Sequence, residues 1–164
     1  MKQQLDRDQV SRHIAADADD LYALVSDVTR TPELSPYVRQ CTWLDPATGP
    51  AVGARFNATN HVGRGPAWSN TPVVTVADPG REFAFSRTEK FPGTLEWHYL
   101  FERESDGTKV TESYQVIKPV SAFGWFVIGT LYGIKDNRAT LRAGMEQTLQ
   151  RLKEIAERRQ AEAR

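Results

Sequence analysis

The sequence predicts an α+β fold in which a seven-stranded antiparallel sheet curves around one long C-terminal helix. Three observations carry this. An apolar stripe at helical spacing precedes residue 30, a periodicity of two runs from Val38 to Lys118, and a second helical stripe occupies about Asp136 to Arg159. Strands grouped in one block with helices at the ends give helices packed on one face of an antiparallel sheet, a shape with room for an internal cavity.

Gln9 to Ala15 alternate as a first strand. Asp17 then caps a helix running to about Val28: its carboxylate can accept from an open amide at the helix start, and Asp19 and Asp20 suit the positive end of the dipole. Leu21, Leu24, Val25 and Val28 form its buried stripe. Pro32 and Pro36 leave space only for a short helical turn around Thr31 to Leu34. Six further strands are predicted at Val38–Leu44, Ala54–Val62, Ala67–Val76, Glu82–Arg87, Leu95–Arg103 and Lys109–Lys118. Turn chemistry separates them: Asp45 to Gly53, Gly63-Arg64-Gly65-Pro66, Asp78-Pro79-Gly80, Pro92-Gly93 and Asp106-Gly107. Links this short make antiparallel neighbours. In the last helix Leu141, Met145, Leu149, Leu152 and Ile155 or Ala156 lie on one face, with Arg142, Glu146, Lys153 and Glu157 elsewhere. About 24 residues at 1.5 Å each span about 36 Å, the width of a small domain.

A chain of 164 residues fits one domain, read here as a single ligand-binding unit with its core at about residues 10–156. Its 21 basic and 21 acidic residues cancel, which argues against recruitment of nucleic acid. One cysteine, Cys41, and an N-terminus MKQQLDRDQV lacking an apolar core point to the cytoplasm. No apolar run reaches a membrane span; Val120 to Ile134 comes nearest and is broken by three glycines.

Several phrases of local text resemble the START-like, helix-grip (SRPBCC) superfamily, and within it the bacterial polyketide cyclase/dehydrase and lipid-transport proteins. These are Ser35-Pro36-Tyr37-Val38, Cys41-Thr42-Trp43-Leu44, Gly53-Ala54-Arg55-Phe56, Asp78-Pro79-Gly80-Arg81-Glu82-Phe83-Ala84-Phe85, Trp97-His98-Tyr99, Thr111-Glu112-Ser113-Tyr114 and the run Met145 to Lys153. The resemblance covers about Val10 to Ala156 and implies the birch-allergen-like sheet closed on a long helix. None of the phrases is a catalytic signature.

Residues two apart on a strand share a face, so parity selects the side chains that look inward. The bulky sets are Phe56, Ala58 and Asn60; Trp68, Asn70, Pro72, Val74 and Val76; Phe83, Phe85 and Arg87; Leu95, Trp97, Tyr99 and Phe101; Val110, Glu112, Tyr114 and Val116. Glu112 stands out, because a lone buried charge is costly and must be paired, protonated or hydrated. Arg87 is its partner by parity. A structural ion pair, a ligand contact and proton transfer are the three roles open to it. The candidate ligand-binding residues are Phe56, Asn60, Trp68, Asn70, Phe85, Arg87, Trp97, Tyr99, Glu112, Tyr114 and Phe126, with the aromatics serving core packing as well.

The apolar segment Pro119 to Gly133 reads as a gate over the cavity, as packing on the sheet, or as a surface for a second copy or transient membrane contact. His13, His61 and His98 are scattered, so no metal site or cofactor is expected. Cys41 reads as a small buried thiol, and Gly63-Arg64-Gly65 as a turn rather than a phosphate loop. Arg138, Arg142 and Arg151 read as a solvated helix face. The leading function is non-enzymatic binding or transport of a hydrophobic small molecule by a monomer or homodimer. A polyketide cyclase/dehydratase acting in the same cavity is the alternative. A protein-interaction or co-chaperone-like module, which requires a filled interior, is the third.

Overall fold

The computed structural model of the chain describes residues 5–89 and 93–164; Pro92 of the predicted Pro92-Gly93 turn lies outside them. Eight strands and four α-helices follow the chain as β1 (Arg7–Ile14), α1 (Ala18–Ser26), α2 (Thr31–Leu34), β2 (Val38–Trp43), β3 (Phe56–Asn60), β4 (Trp68–Asn70), β5 (Val73–Asp78), β6 (Glu82–Glu89), β7 (Gly93–Glu104), β8 (Gly107–Lys118), α3 (Ala122–Thr130) and α4 (Asn137–Glu162). The strands form a five-stranded antiparallel sheet, β1-β8-β7-β6-β5, and a three-stranded one, β2-β3-β4. A bridge between Arg55 and Val73 joins the two, with Val74 N donating to Ala54 O at 2.8 Å.

The eighth strand arises where alternation predicts a single strand over Ala67–Val76. Pro72 has no N–H to give a ladder, so the strand breaks there, and its carbonyl accepts from Phe56 N at 3.2 Å. The break lets one stretch of chain pair with β3 and the next with β6. A bulge between Val74 and Val76 then corrects a second expectation. It sets Ala77 opposite Phe83, so Ala77 rather than Val76 packs on the core.

The helices follow their stripes. Asp17 accepts from Asp19 N at 2.8 Å, and Leu21, Leu24 and Val25 are buried. α1 ends at Ser26, ahead of Val28, because Asp27 caps a new 3-10 turn by accepting from Thr29 N. Asp136 caps α4, accepting from Ala139 N at 3.0 Å. Met145, Leu149, Leu152 and Ala156 of α4 are buried, and the helix packs on β1 and β8 and against α1 and α2. Tyr22 meets Phe83 and Phe101 edge-on at 6.3 and 6.0 Å, while Phe56 bridges Trp43 at 5.6 Å and Phe85 at 5.5 Å. Tyr22 thus packs α1 onto the five-stranded sheet, and Phe56 joins the two sheets.

One surface arginine pair departs from the solvated-face reading. Arg142 reaches back to β1, donating to Asp8 Oδ1 at 2.8 Å, and Arg138 lies 3.8 Å from Oδ2. Burial pushes the Asp8 carboxyl up, but the bonds from Arg142 and Gln9 N with the charges of Arg142 and Arg138 together hold it below the usual range.

Candidate functional site

Hairpin register arranges the inward side chains in rows across β6, β7, β8 and β1. One row is Phe83, Tyr99, Glu112 and Val10; the next is Phe85, Trp97, Tyr114 and Asp8; the third begins with Arg87, Leu95 and Val116. Between α4, α3 and the strands lie two neighbouring chambers that share part of their walls.

The outer chamber has a volume of about 500 Å³. Its walls are Val127 and Ile128 of α3, Tyr132 and Ile134 of the following link, Asn137, Thr140 and Leu141 of α4, and Val62, Trp68 and Ser69 of the β3–β4 hairpin. Trp68 and Tyr132 meet edge-on at 5.0 Å across it. The inner chamber, about 110 Å³, lies between the middle of α4 (Gly144, Met145, Thr148) and the strands, with Phe56, Phe83, Phe85, Trp97, Tyr99 and Glu112 in its wall. Tyr37, Asn60, Arg87 and Leu141 belong to both chambers and form the waist between them. Tyr37 is held there by donating to Thr140 O at 3.1 Å. Gly144 makes room for its ring, since a Cβ at that position would stand 2.6 Å from Tyr37 Cε2.

Glu112 is 4 % exposed, and its partner is Tyr99, whose hydroxyl donates to Oε1 at 2.8 Å. The expected pair with Arg87 does not form. Parity puts both on one face, but Arg87 stands in the row of Leu95, four residues along β7 from Tyr99, about 13 Å at 3.3 Å per residue. The Arg87 guanidinium instead lies 5.9 Å above the Trp97 ring. Glu112 Oε2 has no hydrogen-bond partner among the described residues. Burial drives the carboxyl up to about 8 despite the opposing effect of the Tyr99 bond. The same burial, with Glu112 beside it, drives the Tyr99 phenol well above 10. Cys41 also faces the inner chamber, where burial pushes its thiol up to about 11.

Of the candidate residues, Phe56, Asn60, Asn70, Phe85, Arg87, Trp97, Tyr99 and Glu112 stand in the inner wall and Trp68 in the outer. Tyr114 and Phe126 stand in neither. Tyr114 is buried beside Trp97 on the next strand, 5.3 Å ring to ring, and lines neither chamber. Phe126 is 64 % exposed and turned away, stacked on Phe123, while Val127 and Ile128 hold the inward positions of α3. Sequence reasoning also misses Tyr37, Leu141 and Ile134 as wall residues, and reaches Tyr132 only through the gate reading of Pro119 to Gly133. Leu141 carries a signal, one turn before Met145 on the same stripe; the others follow no periodic pattern.

His13 is less isolated than its place in the sequence implies. With Glu104 and Asp106 it forms an exposed cluster at the β7–β8 turn, one ring nitrogen 2.5 Å from Glu104 and the other 3.5 Å from Asp106. Both ring nitrogens face carboxylates. Among the described residues no helix is long and apolar enough to cross a membrane.

A curved antiparallel sheet gripping a long C-terminal helix defines the START-like, helix-grip class. Within it the chain belongs to the family described as polyketide cyclase / dehydrase and lipid transport, whose model matches residues 8–157. A polyketide-cyclase-like protein of Corynebacterium glutamicum, solved by NMR in solution, is 33% identical, with 92% of this chain aligned to 91% of that one at a TM-score of 0.60. The di-domain ARO/CYC protein StfQ of the steffimycin biosynthetic pathway is similar in fold, with a TM-score of 0.76 and 17% identity; 94% of this chain covers 51% of StfQ, so the chain spans about half its length. Ginseng major latex-like protein 151 from Panax ginseng shares the fold at a TM-score of 0.68 and 14% identity, over 92% of this chain and 96% of that one. No curated protein matches the sequence.

Proposed function

We propose that the chain acts as a single START-like domain that binds or carries a hydrophobic small molecule, of lipid, isoprenoid or polyketide-like kind, in the paired chambers. The observation that carries this is the outer chamber of about 500 Å³ with its largely apolar wall. Its size falls within the roughly 300–1,000 Å³ usual for small-molecule sites. Burying about 250 Å² of apolar ligand surface contributes about 6 kcal/mol before the cost of association. The chambers also weigh against an interaction module with a filled interior. Native mass spectrometry of protein purified gently from its own host, with organic extraction of what travels with it, tests the proposal. A discrete hydrophobic mass supports it; a clean apo mass with no response to a panel of hydrophobic ligands overturns it.

A cyclase or dehydratase reading is favoured by one specific feature, the Tyr99–Glu112 pair at the floor of the inner chamber. A carboxyl kept neutral near pH 7 is suited to proton transfer. Glu112→Gln separates the readings: a carrier keeps its affinity, whereas an enzyme keeps binding and loses turnover.

A further inference from the structure

With the chambers taken as the ligand site, on which this rests, we propose that Glu112 Oε2 donates a hydrogen bond to a neutral carbonyl oxygen of the bound molecule. The ligand class is then a hydrophobic ketone, aldehyde, ester or quinone rather than a chain headed by a carboxylate or an alcohol.

The proton is located by exclusion. Oε1 accepts from Tyr99, whose only hydroxyl proton is used in that bond, and Oε2 has no partner among the described residues. Arg87 is two rows away, so an ionised Glu112 would be a buried charge with one hydrogen bond, far costlier than the neutral acid. The acid proton therefore sits on Oε2, beside the chamber whose wall Glu112 forms. The facing wall of α4 does not receive it: Thr148 donates to Gly144 O at 2.8 Å and makes no bond to Oε2, and Met145 is apolar. Once a bound molecule displaces water from the chamber, an unreceived O–H requires an acceptor from that molecule. A carbonyl supplies one without bringing a donor or a charge of its own. The inner chamber, at about 110 Å³, has room for such an end group, and the outer one holds the body.

The donor exists only while Glu112 is protonated, so the preference for a carbonyl is present below pH about 8 and lost above it. The other titratable groups facing the chamber are Tyr99, Tyr37, Cys41 and Arg87, with Tyr114 beside Trp97. Burial raises the three phenols above their ordinary value of 10.0 and the thiol to about 11, and a guanidinium stays charged below about pH 12. None of them changes charge near pH 8.

The test compares 2-acetylnaphthalene with 2-isopropenylnaphthalene, which has the same shape with a methylene in place of the carbonyl oxygen, by calorimetric titration into the full chain. At pH 6.5 the ketone is expected to bind roughly fivefold tighter, as one added hydrogen bond gives, and at pH 9.5 the two are expected to bind alike. In Glu112→Gln the amide N–H₂ donates at any pH, so the preference survives at both; in Glu112→Leu it is lost at both. Three results would overturn the proposal: equal affinities in the unaltered protein at pH 6.5, a preference kept by Glu112→Leu, or 1-(2-naphthyl)ethanol binding tighter than the ketone at pH 6.5, which would make Glu112 an acceptor where the proposal has it donate. If both hydrocarbon and ketone bind equally, this proposal alone fails. If neither binds, the cavity reading fails with it.

Discussion

The inner chamber is walled by strands and the middle of α4, whereas α3, the link after it and the β3–β4 hairpin supply much of the outer one. Phe56, Phe83, Tyr99 and Met145 of the inner wall are at least nine-tenths buried and belong to the core. Val127, Tyr132 and Ile134 of the outer wall are half-buried. The shape of the inner chamber is therefore tied to folding stability, while the Val127, Tyr132 and Ile134 part of the outer wall can change at lower cost than its buried Leu95 and Ile128. On the proposed binding reading, such a division would hold the polar end of a ligand rigidly and leave tolerance for its body.

The largest effect should come from breaking the inner wall. Phe56→Ala removes a ring packed on Trp43 and Phe85, and denaturant unfolding should show a loss of about 3–5 kcal/mol. A loss below about 1 kcal/mol would mean that the inner wall is not core. The next concerns Glu112 as a cost within that wall. Its folded-state pKa of about 8 lies above the ordinary 4.5, so the native state holds the proton longer. Its contribution is present at low pH and declines as pH rises from about 4.5 to about 8, by an amount on the order of a few kcal/mol. Glu112→Gln should remove that decline; unfolding free energies of both proteins at pH 5 and 8.5 isolate it, and parallel profiles would refute the burial of an unpaired carboxyl.

A smaller effect is expected at the waist. Gly144→Ala sets a Cβ 2.6 Å from the Tyr37 ring, so the ring must move and its bond to Thr140 O is disturbed. Overpacking costs about 1–3 kcal/mol, partly offset by about 1 kcal/mol of helix propensity. Hydrophobic-probe affinity should change along with stability; an unchanged affinity would separate Tyr37 from the ligand path. The smallest stability change belongs to the outer wall. Val127→Ala should cost below about 1 kcal/mol and show itself in faster probe dissociation by stopped flow. A large stability loss there would erase the contrast between the chambers.

Much of the inner wall is legible in the amino-acid sequence, for a physical reason. Alternation on a strand is set by the backbone alone, so Phe56, Asn60, Phe85, Trp97, Tyr99 and Glu112 can be assigned to inward faces from their parity. The stripes of α1 and α4 are readable in the same way. α3 is not: with Phe123, Trp125, Phe126, Val127 and Ile128 close together it is apolar on every side, and no period says which side turns inward. Size alone favours Phe126, yet Val127 and Ile128 take the inward places. The strand break at Pro72 does carry a signal, a residue that cannot donate to a ladder, outweighed by the alternation around it.

The order of elements, the helix caps at Asp17 and Asp136 and the inward set on each strand depend on neighbours within a few residues, and so they are written in the chain itself. Which inward residues meet is a matter of long-range packing. Hairpin register sets Tyr99, not Arg87, opposite Glu112, a bulge exchanges Val76 for Ala77, and the lie of α4 brings Tyr37 against Gly144 at the waist between the two chambers. Such contacts join residues far apart along the chain, and their distances follow from how sheets and helix pack rather than from any local period.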